Sequence, residues 1–383
     1  MLRKIRMGMI GGGRGAFIGG VHRMAAALDG EIELVCGAFS SDPERSRLSG
    51  ADLYLDKSRI YDSYEQMILA EKNLPADIRM DLVAIVTPNH LHFAPSKLAL
   101  ENGFHVVCDK PLCFDLAEAN DLVNIVNSKD QIFAMSHNYT GYPMVKQARA
   151  MIQNNEIGII RRVVVSYPQG WLSTPLENID QKQAAWRTDP TKAGIAGAMG
   201  DIGTHAHNLM EYITGLRVTH VCADVNKVVA GRLLDDDVNV LLKFDNKASG
   251  ILTASQISAG EENDLTIKIY GENGGLQWSQ MQPNTLIVKW LERSEQHYRT
   301  GVGDLYPSAV AATRLPAGHP EGYLEAFANV YKNVAKCIQA KLDGRKADLL
   351  YTDYPTVQDG LRGMQFVHKV IESGNSEEKW LAM

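Results

Sequence analysis

What the chain lacks narrows the possibilities first. It has only five cysteines, Cys36, Cys108, Cys113, Cys222 and Cys337. The number is odd, the spacings are irregular and no Cys-x-x-Cys occurs. A disulfide framework or a zinc site is therefore not expected, and reduced thiols in a cytoplasmic protein fit better. Cys36 and Cys108 fall in apolar runs, where a small buried thiol is ordinary. There is no excess of positive charge either: 39 Lys and Arg against 45 Asp and Glu leave a net charge of −6. No basic run stands out, so neither nucleic acid nor an anionic membrane is an expected partner. No stretch of about 18 apolar residues occurs, which argues against a membrane span. The N-terminus is basic and then apolar, but glycines cut the apolar stretch too short for a signal-peptide core. Repeats and low-complexity segments are absent.

What is present is globular: 383 residues, 45% apolar and 22% charged, enough for two domains. Apolar runs at 5–10, 32–39, 81–87, 105–108 and 132–136 alternate with helical patterns at 21–28, 93–102 and 116–127. Alternation without hairpin signals predicts a parallel sheet covered on both faces. Beyond about residue 140 the texture changes. After a helix at 144–154, two-residue alternation marks strands at 162–167, 218–225, 238–244, 250–256, 265–270 and 285–290. The links between them are short and polar, which suits antiparallel pairing. Helices at 323–340 and 357–372 close the chain. The expected class is α/β: a Rossmann domain over residues 1–138, then an α+β domain over 139–383 with a large, mostly antiparallel open sheet for substrate binding and oligomerisation.

Gly11-x-Gly13-x-x-Ala16 ends the first strand and opens a helix, with Arg14, Gly15 and Phe17 in the same turn. Glycines there let the backbone approach a pyrophosphate, and the helix N-terminus offers N–H donors. A purely structural turn is the plainer alternative. The acidic ribose reader usual for NAD is missing after the second strand. Ser40 and Arg45 instead suit a 2′-phosphate, which tilts the expectation from NAD toward NADP. Asp42 reads as the cap of a helix begun by Pro43.

Lys110, in Cys108-Asp109-Lys110-Pro111, follows a parallel strand at its carboxyl end, where open sheets bind ligands. It can stabilise charge on a reacting oxygen, although most exposed lysines are merely solvated. Asp201 and His205 stand four apart ahead of an apolar helical pattern, so on a helix they share a face. A histidine there can move the hydroxyl proton. A carboxylate and an imidazole with no evident third ligand do not make a metal site. Asn138, Tyr139, Tyr142, Trp171, Lys182, Trp186, Arg187, His207 and Asn208 are candidates for a hydroxyl-rich ligand. The aromatics among them serve core packing equally well. Gly318-His319-Pro320-Glu321-Gly322-Tyr323 reads as a pocket-closing turn or as a plain helix start.

Taken in order, the glycine turn, Thr87-Pro88-Asn89-x-x-His92, Asp109-Lys110-Pro111 and Gly200-Asp201-x-Gly-x-His205 resemble the glucose–fructose oxidoreductase, inositol dehydrogenase and rhizopine-catabolism (Gfo/Idh/MocA) family over nearly the whole chain. The resemblance implies bound NAD(P), a polyhydroxylated substrate, and Lys110, Asp201 and His205 as catalytic residues. It places Pro88, Asn89 and His92 at the nicotinamide ribose and favours Trp186 and Arg187 at the substrate; Thr87, Asp109, Lys110 and Asn138 are further expected cofactor contacts, and Tyr139, Trp171 and His207 further expected substrate contacts. A locally satisfied histidine is the alternative for His92. The chain departs from the family in having Asp109 where Glu is usual. A homodimer or homotetramer is expected from the sheet. A non-catalytic NAD(P)-binding sensor is the rival reading, against which the retained Lys110, Asp201 and His205 argue.

Overall fold

The computed structural model describes residues 3–179 and 181–383, and of Lys182 the backbone only. The chain divides into two compact units. One holds the residues up to Asn138 together with Tyr323–Leu361; the other holds Tyr139–Gly322 and Arg362–Met383.

The first unit is built on a five-stranded parallel sheet in the order β2-β1-β3-β4-β5. The strands are β1 (Ile5–Gly11), β2 (Ile32–Ala38), β3 (Leu82–Val86), β4 (His105–Cys108) and β5 (Phe133–Met135). β3 is buried at every position, as expected where helices cover both faces. Those helices include α1 (Phe17–Leu28), α2 (Pro43–Asp52), α3 (Tyr64–Lys72), α4 (Phe93–Glu101) and α5 (Leu116–Asn127). Ile60 adds a single parallel bridge to Gly37 outside β2, all that stands where a further strand would begin. The chain steps one way from β1 to β2 and the other way to β3, so the switch point that takes ligands lies at their carboxyl ends.

The first unit also takes in a helix from far along the chain. In the second unit's numbering range come α6 (Pro143–Gln153), α7 (Lys182–Arg187), α8 (Pro190–Ala193), α9 (Thr204–Thr214) and α10 (Pro307–Ala311); α11 (Tyr323–Leu342) returns to the first unit. Phe327, Tyr331, Val334 and Ile338 of α11 are buried in one cluster with Val21, Ala25 and Ala26 of α1 and Met7 and Met9 of β1. Their spacing of three and four residues makes one apolar stripe. Each large side chain so buried stabilises by roughly 1.5–3 kcal/mol relative to exposure. α12 (Val357–Gly374) contains the third crossing between units, after Leu361.

The second unit carries a nine-stranded sheet in the order β13-β12-β11-β10-β6-β9-β8-β7-β14. Its strands are β6 (Arg162–Pro168), β7 (Val218–Asn226), β8 (Asp237–Phe244), β9 (Ser249–Ser255), β10 (Thr266–Tyr270), β11 (Gly274–Ser279), β12 (Thr285–Trp290), β13 (Gln296–Arg299) and β14 (Leu381–Ala382). All neighbours pair antiparallel except β6 with β9. Burial alternates along β8 and β9, with α6 and α9 packed on one face. β11 is not among the strands expected from the sequence; it opens with Gly274-Gly275, a pair common in turns. There the glycines serve close approach instead: a Cβ on Gly274 would stand 2.5 Å from the Lys289 carbonyl oxygen.

Candidate active site

In the first unit the glycine turn leaves β1 with Gly11 and Gly12 at φ 79° and 70°, a left-handed backbone that other residues adopt at a cost. The turn lies tight on α1: a Cβ on Gly19 would fall 2.3 Å from Gly12 Cα. α2, α3 and α5 are capped by the side chains of Asp42, Ser63 and Asp115. α1 opens at Ala16 with no capping side chain, so its first N–H groups face outward as donors. This cradle fits a dinucleotide pyrophosphate. At the end of β2, Asp42 is committed to capping, accepting from Glu44 N at 2.9 Å. Ser40 Oγ accepts from Asp42 N at 3.2 Å, and Arg45 donates to the Arg14 carbonyl. Arg14 pairs with Asp52 at 2.5 Å. The expected reader of a 2′-phosphate is thus engaged with the protein's own backbone.

At the carboxyl ends of β3 and β4, two loops are joined by a histidine. His92 is wholly buried, with Nδ1 2.7 Å from the Pro111 carbonyl and Nε2 2.9 Å from the Thr87 carbonyl. Burial lowers its pKa, against the two carbonyls and Asp109, which raise it. It acts as a tie between the Thr87-Pro88-Asn89 loop and the lysine loop, not as a solvent-facing group. Asn89 and Asn138 are buried beside these loops, and Asn138 N donates to Ser136 O at 2.8 Å. Lys110 N donates to Ser136 Oγ at 3.2 Å, and Ser136 Oγ donates to Asp109. Burial pushes the Asp109 carboxyl up, but His22, Lys110 and Ser136 outweigh it and hold it well below the usual carboxylate range.

In the second unit Asp201 stands in a π turn, Met199–Gly203, that runs into α9 carrying His205. Nothing in the residue pattern marks this turn; such bulges recur at functional sites. Asp201 Oδ2 accepts from Arg187 Nε and from Gln256 Nε2, both at 2.9 Å. The Arg187 guanidinium lies 4.2 Å over the Trp186 ring and 5.8 Å from that of Trp171. Trp171 Nε1 donates to Gln169 Oε1 at 3.0 Å, and Gln169 Nε2 donates to Asn263 Oδ1 at 2.6 Å. Tyr167 donates to the same oxygen at 2.7 Å and shares a short hydrogen bond with Tyr139. The Tyr139 ring meets His205 edge-on at 5.0 Å.

Asp201, His205, Tyr139, Trp171, Trp186 and Arg187 are therefore brought together. Tyr167, Gln169, Gln256 and Asn263 complete the network and were missed. A signal existed: Gln169 and Gln256 directly follow β6 and β9, the parallel pair in which Pro168 faces Ser255. Parallel strands gather ligand-binding residues at their carboxyl ends. His207 is not among them. Two residues along a helix turn a side chain to the far face; there His207 stacks on Phe366 at 4.1 Å and stands 3.4 Å from Glu211. Tyr142 is packed in the core beside Trp278, and Asn208 is buried. The Lys182 side chain lies outside the described residues. Glu321 of the 318–323 turn accepts from Arg314 N and Leu315 N at 2.6 and 2.9 Å. That fixes the turn onto its own neighbours. Among the described residues no group of three His, Cys, Asp or Glu is placed to hold a metal, and no helix is long and apolar enough to cross a membrane.

Known proteins resemble this chain in sequence and fold. Residues 5–137 match the oxidoreductase family with an NAD-binding Rossmann fold, and residues 145–277 match the GFO/IDH/MocA C-terminal domain. The uncharacterized oxidoreductase YfiI of Bacillus subtilis is 32% identical over 99% of this chain and 97% of its own. An oxidoreductase from Sinorhizobium meliloti superposes with a TM-score of 0.89 at 43% identity, covering 99% of each chain. An inositol dehydrogenase homologue from Azotobacter vinelandii, solved with NADH and myo-inositol, gives 0.91 at 34% identity over 100% of this chain and 98% of that one. With both halves matched and relatives aligned end to end, the chain belongs to the Gfo/Idh/MocA family of NAD(P)-binding oxidoreductases.

Proposed function

We propose that this protein is an NAD(P)-dependent dehydrogenase acting on a secondary hydroxyl, or the matching carbonyl, of an inositol, sugar or related polyol. The observation that carries the reading is the network in the second unit. Asp201 is fixed by Arg187 and Gln256, next to a wall of amides, phenols and indole rings, and His205 lies against Tyr139. Convergent hydroxyl and amide partners with an aromatic face suit a polyhydroxylated ring. The A. vinelandii relative was solved with such a ligand.

When bound, the nicotinamide supplies the hydride acceptor or donor. His205 takes the hydroxyl proton in oxidation and returns it in reduction. Lys110 stabilises negative charge that gathers on a reacting oxygen. Asp201, restrained by its two partners, orients His205. Asn89, Thr87, Pro88, Asp109 and Asn138 shape the cofactor side, with His92 supporting them. For the cofactor, the reading is NAD or NADP alike, since the groups that favoured NADP are engaged elsewhere. All five cysteines are free, consistent with work in the cytoplasm. The alternating sheet leaves Leu241 and Tyr270 exposed on its outer face, a surface for pairing two or four copies. Light scattering at micromolar concentration is expected to give the mass of a dimer or tetramer, and a monomer's mass contradicts that.

The function is tested by following absorbance near 340 nm with both cofactors against inositols, aldoses and keto-sugars. Lys110→Ala and His205→Ala should each lower kcat by roughly 10²–10⁴. Wild-type turnover in Lys110→Ala would remove the mechanism.

A further inference from the structure

Beneath the lysine loop lies a buried histidine that the reaction above does not use. His22 is in the second turn of α1, the helix that the glycine turn opens. It is completely buried, edge-on to Phe327 at 4.7 Å and to Tyr331 at 5.8 Å. Its Nδ1 is 2.6 Å from the Tyr331 hydroxyl. Its Nε2 points at Asp109 Oδ1 from 3.7 Å, too long for a formed hydrogen bond but close for an N–H facing a carboxylate in a region of low dielectric. Nε2 has no hydrogen-bond partner, so the carboxylate is what that atom meets. Burying an imidazole costs stability unless its nitrogens find polar partners, and a leucine would fill the space between Phe327 and Tyr331 without that cost. The arrangement makes sense as a link. Tyr331 holds one nitrogen, and the other is aimed at the residue that precedes Lys110. Ser136 completes the hold, accepting from Lys110 N and donating to Asp109.

We infer that His22 is a positioning residue for Lys110, acting through Asp109 and backed by Tyr331, and that it couples the pyrophosphate-binding helix to the reacting lysine. The inference rests on the catalytic reading of Lys110 given above. Held by Ser136 and faced by His22, the Asp109 carboxylate fixes the start of the loop and is drawn away from the ammonium it neighbours.

The test is a double-mutant cycle on the full chain, with myo-inositol and NAD⁺ as the assayed pair and NADH fluorescence reporting cofactor binding. His22→Gln should lower kcat about 10-fold, leaving KM and the NADH Kd within about twofold. Tyr331→Phe, which keeps the volume, should lower kcat about threefold in the same pattern and serves if His22→Gln fails to fold. In an Asp109→Asn background, either change should add less than twofold. Multiplying effects in that background, an unchanged kcat in both single variants, or a rise of the NADH Kd in step with lost thermal stability would each overturn the coupling. Lys110→Ala separates the two claims. If it abolishes turnover while the His22 and Tyr331 variants are fully active, only the coupling falls; if it is fully active, the catalytic reading falls and the coupling with it.

Discussion

The two sheets hold their functional groups in different ways. In the first unit the strands run parallel and are covered on both faces, and the candidate site is framed mainly by main chain at strand ends. Glycine φ angles, an uncapped helix start and backbone carbonyls clasped by His92 set its shape. In the second unit the sheet is antiparallel but for β6 and β9, and the site is a web of side chains: Asp201, Arg187, Gln256, Gln169, Asn263 and Tyr139. A site set by main chain depends on the core that fixes the backbone. One set by side chains can lose a member while the fold stands. Damage to the main-chain frame of the first should therefore appear as lost stability, while loss of a single reacting side chain, in either unit, should appear as lost catalysis.

The largest effect is expected from Phe327→Ala. Phe327 is wholly buried between α11 and the α1–β1 cluster, and such truncations cost about 3–5 kcal/mol. Calorimetry should show the loss in the transition of the first unit. A stable variant would mean that α11 is dispensable there.

His105 sharpens the same point through pH. At the start of β4 its Nδ1 accepts from Ile132 N at 2.8 Å. Burial, helped by nearby Lys341, lowers its pKa to about 4 from an ordinary 6.5. Between those values the unfolded chain binds the extra proton and the folded chain does not. Stability is therefore full above pH 6.5 and is lost as pH falls toward 4, by up to about 3 kcal/mol. His105→Asn keeps an acceptor without titrating, so denaturation across pH 4 to 6.5 should show a flatter slope. An unaltered slope would remove His105 as its source.

For the second unit, Asp201→Asn is expected to lower kcat/KM about 100-fold, or about 2.7 kcal/mol. It keeps the side-chain volume, so thermal stability should hardly move. Equal loss of stability and activity would erase the contrast between the units.

The same contrast explains what could be read from sequence. The glycine turn, Thr87 to His92 and Asp109 to Pro111 are contiguous, because each is one strand end followed by one loop; periodicity found the strands, and the motifs came with them. The second network is scattered over residues 139 to 263, and only sheet pairing brings Gln169 beside Gln256. A reader lacking the β6–β9 pairing had no reason to join them. The return of α11 was hidden for a similar reason: its apolar stripe says that it packs, not on what. His207 was misleading because it is two residues from His205, near in sequence and opposite on the helix.

The smallest expected effect concerns the rim of the first site, where sequence and geometry point in different directions. Read from sequence, Arg45 recognises a 2′-phosphate. In the structure it donates to the Arg14 carbonyl and braces the turn. The two roles separate in Arg45→Ala. A phosphate reader's loss would depress kcat/KM with NADP alone by 10-fold or more, as expected when a charged partner of a phosphate is removed. A brace on an exposed turn would weaken NAD and NADP equally, within about threefold. The engaged geometry favours the second outcome, an unchanged ratio of the two cofactors. If NADP alone suffers, Arg45 exchanges the carbonyl for the phosphate on binding, and main chain is not all that shapes the first site.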